Sequence, residues 1–272
     1  MIEYLAFILL GMYILSNISY LVFFVNPMHF LGRWSSIILR AALSIHILYL
    51  ILTWVHLGRM PLNSKCEILS IIALCYSAMY VLIEWRTKRR ELGGFILILT
   101  TLSFTASIVT LGREPVTHPD LRGPIFTVHV LSLILSYSGF FLGFLFSGLY
   151  LLLHYDIKNK RLGRIYSRLP SLGMLDTMSK HANELGLALL TIGIIAGSLW
   201  AKQVWDIYFG ADAKLVATAV IWLIYAAYVA LRFVPGWSRK RSAYLSTFGF
   251  FVLAFSFVLL TSVATSAHTF HQ

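Results

Sequence analysis

The sequence predicts an all-α integral membrane protein: a bundle of about eight transmembrane helices, 1–272 forming a single polytopic domain, with both termini on the outer side. Three observations carry this expectation. Hydrophobic residues make up 58% of the 272 and charged residues 12%, with a mean hydropathy of +0.78, whereas a soluble domain carries roughly a quarter charged side chains. Apolar runs of about 20 residues recur along the chain, each long enough at about 1.5 Å per residue to cross roughly 30 Å of hydrocarbon. The basic residues then fall into alternate connections, which fixes an orientation.

The first run, 2–25, begins Met1-Ile2-Glu3 with no basic leader and so reads as a retained span, not a cleaved signal peptide. Asn26-Pro27 ends it. The second, 35–57, stops at the turn from Gly58 to Pro61, and the third, 66–85, at the basic run 86–90. A fourth, 92–112, gives way to the polar stretch from Gly112 to Pro124. The fifth, 125–153, precedes a polar segment, 156–182, that interleaves Ile165, Tyr166, Leu169, Leu172 and Met174 with six basic residues. That pattern fits an amphipathic helix lying on anionic lipid, or a docking surface. The sixth, 183–204, leads through an aromatic loop, 200–214, into the seventh, 213–233, which Pro235-Gly236 closes. The last spans 242–266.

Fifteen of the 22 Lys and Arg residues lie in the connections after the first, third, fifth and seventh spans, and six lie in the others. Basic loops stay in the cytoplasm, so both termini face outward. The net charge of +11 is thereby a topology signal, and nucleic acid is excluded as its explanation. Two cysteines, Cys66 and Cys75, nine positions apart, exclude a disulfide scaffold, a zinc knuckle and a CxxC redox motif. Nucleotide loops, paired-carboxylate sites and Ser-His-Asp arrangements have no counterpart here, which favours a binding or assembly role over catalysis. Glu67 and Glu84 bracket the third span, where solvated or snorkelling carboxylates are expected, and Arg40 either snorkels or pairs with Glu84 or Glu91. Glycines at 139, 143 and 148 in the fifth span, and at 186, 193 and 197 in the sixth, mark close helix packing.

Nine histidines are many for a chain with eleven acidic residues, because imidazole is costly in hydrocarbon unless paired, ligating or wet. His129 opens the fifth span and His268 follows the eighth, both on the predicted outer side. Each is either an interfacial imidazole bonded to water or backbone, or one of two ligands to a metal or haem iron. His46 lies deep in the second span, as a hydrogen-bonded core histidine or a ligand of a second site. His56 is ten residues on, about 15 Å and about 1000° around the helix, so the two cannot share an iron. Between them lies nothing like a two-haem cytochrome pattern, although an electron-transferring b-type cytochrome subunit stays as an alternative. The aromatic loop clusters Trp200, Trp205, Tyr208 and Phe209 with Lys202 and Lys214. It is either an interfacial belt or a shelf for a porphyrin, with a lysine pairing its propionates.

Several of these elements occur in an order that resembles the cytochrome c assembly family, the CcsA, CcmC and HemX-type membrane proteins. They are His129-Val130 opening a helix that ends Gly148-Leu149-Tyr150, Leu175-Asp176 before Gly186, Trp200-Ala201-Lys202, the run Trp222 to Arg232, and the C-terminal histidine. The resemblance implies a multi-pass protein of the bacterial inner membrane. It further implies that non-covalent haem b is bound at the outer face by His129 and His268 over the aromatic shelf, beside a membrane partner of a cytochrome assembly or respiratory complex. The fuller tryptophan motif of the CcsA branch is thinned here to Asp212 and Lys214. A histidine that haem-exporting relatives carry is Ala230, which draws the reading toward the shorter HemX-like branch. A structural or regulatory subunit that has lost haem ligation is the alternative.

Overall fold

The computed structural model describes residues 2–110, 123–160, 163, 168–206 and 213–267. Among the described residues eight helices follow one another: α1 Ile2–Val25, α2 His29–Leu57, α3 Lys65–Thr87, α4 Gly93–Val109, α5 Pro124–Lys158, α6 Leu172–Trp205, α7 Ala213–Leu231 and α8 Arg239–Ala267. No strand occurs among the described residues. All eight expected runs are helical. Six of the helices, α1, α2, α3, α5, α6 and α7, are long and apolar enough to cross a membrane, and α4 is a shorter apolar helix of 17 residues. Tyr4, Phe7, Val55 and Phe255 stand 60–76% exposed on helix faces, an arrangement suited to hydrocarbon and not to water.

Local chemistry sets the helix ends. α2 stops at Gly58, whose φ of 63° is left-handed and costs a residue without Cβ nothing. Ser64 and Glu67 form a reciprocal capping box at the start of α3. Ser171 caps α6 by accepting from the Met174 amide. Several boundaries differ from the sequence expectation: α2 begins six residues before 35, α5 runs five past 153, and both ends of α6 carry a physical reason. α6 begins eleven residues before 183, because Asp176, Lys180, Asn183 and Glu184 are polar but still compatible with a helix, and the hydropathy pattern reads solubility. The aromatic segment expected as a loop from 200 is helical as far as Trp205, since nothing breaks the helix before Asp206, which takes the left-handed conformation at φ 57°.

The helices sort into two compact units, one of residues 1–130 with 167–170, the other of the remainder. In the first, α4 packs against α1 and α3, and α2 against the same two. Tyr13, Tyr20, Tyr80 and Phe104 are fully buried there. In the second, α5 and α6 run antiparallel: Leu133 covers Gly193, Phe140 lies on Gly186 and Ser147 bonds Ser179. The expected small-residue seam is present at Gly139, Gly143 and Gly186. A Cβ on Gly139 would stand 3.0 Å from the Ala182 carbonyl. Gly148 has nothing within 4 Å and marks no approach. Phe140 also stacks on Tyr225 of α7, centroids 3.5 Å apart.

Candidate functional site

In the first unit, buried polar chemistry gathers around three side chains, His46, Glu84 and Glu67. His46 of α2 is 0% exposed. Its Nδ1 lies 2.7 Å from the Tyr13 hydroxyl and its Nε2 lies 3.0 Å from Ser70 Oγ. The Tyr13 oxygen is also 3.1 Å from Ser77 Oγ, which donates to the Leu74 carbonyl at 2.9 Å. One assignment of protons satisfies all four contacts: Ser70 donates to Nε2, Nδ1–H donates to Tyr13, Tyr13 donates to Ser77, and Ser77 donates to Leu74. Imidazole is thus stabilised inside the helix bundle by two hydroxyls, as the core reading of His46 requires, and neither ring nitrogen is left for iron.

The second cluster surrounds Glu84, 4% exposed. Tyr20 and Ser36 donate to its two oxygens. Arg90 Nε is 3.4 Å away and Arg40 Nη2 is 3.8 Å away. Glu67, 9% exposed, takes two bonds from Arg59 at 2.9 and 3.0 Å and accepts from the Asn63 and Ser64 amides. Both carboxylates that the sequence expectation left solvated or snorkelling are therefore buried and paired. The reason is desolvation: an acid at a helix end in a packed bundle needs compensation from donors, and Arg59, Arg90 and Arg40 are within reach. The Arg40–Glu84 pairing was one of the expected alternatives.

In the second unit, Asp176 of α6 holds Arg232 of α7, whose Nη2 stands 2.9 Å from both carboxylate oxygens, and Arg239 of α8 at 3.4 Å. Arg232 Nη1 donates to the Tyr228 hydroxyl at 3.1 Å. Further along, Asn183 donates to Ser246 at 2.9 Å and Ser179 donates to the Gly143 carbonyl at 3.1 Å. Asp176 and Arg232 both belong to the sequence elements that carried the resemblance. Nothing in the sequence reveals the pairing itself, because 56 residues separate the partners.

The expected haem-handling residues are placed as follows. His129 lies in the second turn of α5 and is half-buried. Trp200 and Lys202 sit in the last turns of α6, both partly exposed, and Lys214 is exposed in the first turn of α7. Lys202 Nζ stands 2.6 Å from Asp206 Oδ1 and donates to its carbonyl at 3.2 Å. That carboxylate is 91% exposed, so the pair is readily exchanged for another anion. Trp205 closes α6. Tyr208, Phe209 and His268 lie outside the described residues. A half-exposed imidazole, an indole and two accessible ammonium groups are chemically suited to an iron, a porphyrin face and propionates. His46 is not suited.

A family model described as cytochrome C assembly protein matches residues 1–268. The cytochrome c biogenesis protein CcsA of Heterosigma akashiwo is 27% identical over 258 residues, covering 82% of this chain and 80% of the relative. That of Guillardia theta is 28% identical over 239 residues, covering 80% and 78%. That of Chlorella vulgaris is 28% identical over 262 residues, covering 85% and 83%.

Proposed function

Because the chain belongs to the cytochrome c assembly protein family, we propose that it binds haem b non-covalently and presents it for cytochrome c assembly at the face of the membrane opposite its basic connections. In this reading His129 and His268 would hold the iron. Trp200, Trp205, Tyr208 and Phe209 form the surface against the porphyrin, and Lys202 and Lys214 hold the propionates. Haem held by these residues would supply a redox-active iron porphyrin. The protein's own work is to offer two imidazole nitrogens, to exchange the Asp206 partner of Lys202 for a propionate, and to keep the porphyrin accessible at the helix ends. The carrying observation is the family match, which extends from residue 1 to residue 268 and so reaches the positions of both histidines.

The membrane follows from the same reading: a bacterial plasma membrane or its organellar equivalent, with the 158–180 basic residues inside and both termini outside. Absorption spectra of purified protein, with a pyridine haemochrome assay, test the proposal. A Soret band of bis-histidine character is expected, lost in His129→Ala and in His268→Ala. Unchanged spectra in both variants would remove these ligands. A second reading, a haem-free subunit acting through partner contacts, draws on Ala230. Its side chain is exposed on α7, where haem-exporting relatives carry histidine. Protein purified without haem from a haem-replete host supports that reading instead.

A further inference from the structure

Hydroxyl side chains in this molecule follow a habit. Ser19, Ser44, Thr53, Thr101 and Thr105 each donate to the carbonyl four residues back, at 2.7–3.0 Å, the usual way a hydroxyl avoids being stranded in an apolar helix. Ser16 of α1 and Thr100 of α4 break it. Both are 0% exposed, and neither hydroxyl has a hydrogen-bond partner among the described residues. An unpaired buried hydroxyl is costly, because it gives up its bonds to water and gains none in return.

Their location gives the cost a meaning. Tyr13, one turn before Ser16, packs its ring on Phe104, and Asn17 donates to the Gly94 carbonyl at 3.0 Å. Ser16 and Thr100 therefore lie at the same depth, between the Tyr13–His46 cluster and the Tyr20–Glu84 cluster. On α3 the buried polar side chains Glu67, Ser70, Ser77, Tyr80 and Glu84 line up along one face. From first to last they span about 26 Å at 1.5 Å per residue, close to the roughly 30 Å of a bilayer's hydrocarbon. At the Glu67 end a cavity of about 260 Å³ reaches Ser70 itself, with Glu3, His56 and Cys66 also on its wall. That is ample for several waters. Toward the other end Arg40, 56% exposed, connects Glu84 to the surface.

The geometry points to a proton path through the first unit, running from the water-accessible cavity at Ser70 through His46, Tyr13 and Ser77, across a gap bridged by water at Ser16 and Thr100, to Tyr20 and Glu84. The hop balances without any oxidant or reductant. A proton from cavity water joins Ser70 Oγ as the Ser70 proton passes to Nε2 of His46. The Nδ1 proton passes to Tyr13, the Tyr13 proton to Ser77, and Ser77 releases its own to the bridging water. The bridging water hands a proton on to Tyr20 as Tyr20 passes its own to Glu84, which releases it toward the surface beside Arg40. Every oxygen along the chain ends with as many protons as it began with, and His46 has moved its proton from Nδ1 to Nε2 without acquiring charge. Rotation of the hydroxyls and return of the ring to its first tautomer reset the chain.

The test uses the full-length protein reconstituted in vesicles of phosphatidylethanolamine and phosphatidylglycerol, with entrapped pyranine reporting internal pH and a potassium–valinomycin gradient driving protons. Haem is not needed, so the outcome is independent of the haem-binding proposal. Wild-type vesicles are expected to change pH faster than protein-free ones, with a rate that falls in heavy water. His46→Phe is expected to lose the flux. Because that variant also removes two hydrogen bonds and can misfold, Thr100→Val combined with Ser16→Ala gives the decisive measurement. Neither change breaks a hydrogen bond between described residues, and helix content by circular dichroism is expected to stay at the wild-type level while flux drops to that of protein-free vesicles. Wild-type flux no greater than that of protein-free vesicles, or flux undiminished in the double variant, would overturn the proton path.

Discussion

Replacing Asp176 by alanine tests whether the polar seam of the second unit is paired as described. Its carboxylate is 10% exposed and Arg232, its main partner, 14% exposed. Removing one member of so buried a pair leaves the other charged and desolvated, at a cost of about 3–5 kcal/mol. Arg239 is 64% exposed and its share is that of a surface pair, at most about 1 kcal/mol. Asp176→Ala is therefore expected to destabilise the protein by about 3–5 kcal/mol. Arg239→Ala should cost no more than about 1 kcal/mol. Adding Arg232→Leu to Asp176→Ala is expected to restore most of the loss, because no stranded charge then remains. Unfolding in mixed detergent and dodecyl sulfate micelles, followed by circular dichroism, measures all four states of the cycle. Additive losses from Asp176→Ala and Arg232→Leu would refute the reasoning, as would a cost for Asp176→Ala no larger than that of Arg239→Ala.

Two further substitutions discriminate between local causes. Gly143→Ala drives a methyl into the Asn183 amide group and is expected to cost about 1–3 kcal/mol. Gly148→Ala, with open space at its Cβ position, should instead be neutral or stabilising by up to about 1 kcal/mol; the same unfolding measurement compares them. Ser64→Ala removes the oxygen that accepts from the Glu67 amide and should lower stability by about 0.5–2 kcal/mol, visible as a reduced melting temperature.

Run length and punctuation made the eight helices legible in the sequence, since a bilayer demands about 20 apolar residues per crossing and Asn26-Pro27, Gly58 and Pro235-Gly236 end helices by their own backbone limits. The start of α6 was not legible, because Lys180 and Glu184 are good helix formers that a hydropathy pattern assigns to a loop. The buried pairs were less legible still. Tyr13 and Ser70 meet His46 from 33 residues before and 24 after, and no spacing rule connects them. Glu84 looked like an interfacial acid because its neighbours in sequence are polar, while Tyr20, which helps to bury it, comes from α1. The family could be read from the order of its elements, and the match over residues 1–268 agrees. The relatives that appear carry the CcsA name, although the thinned tryptophan motif had drawn the reading toward HemX-like proteins.

The hydrogen bond from Asn183 to Ser246 joins α6 to α8 across 63 residues. Asn183 is 0% exposed, and an amide stranded in lipid is costly. While the chain is still being made, α6 enters the bilayer with this amide only partly compensated, by Ser179 at 3.3 Å one turn before it. Its remaining donor capacity waits for the last helix. The second unit thus completes its packing only after α8 has been synthesised and inserted. A ribosome stalled before residue 246 should leave α6 and α7 loosely held, exposed to membrane quality control, with α5 as their main neighbour.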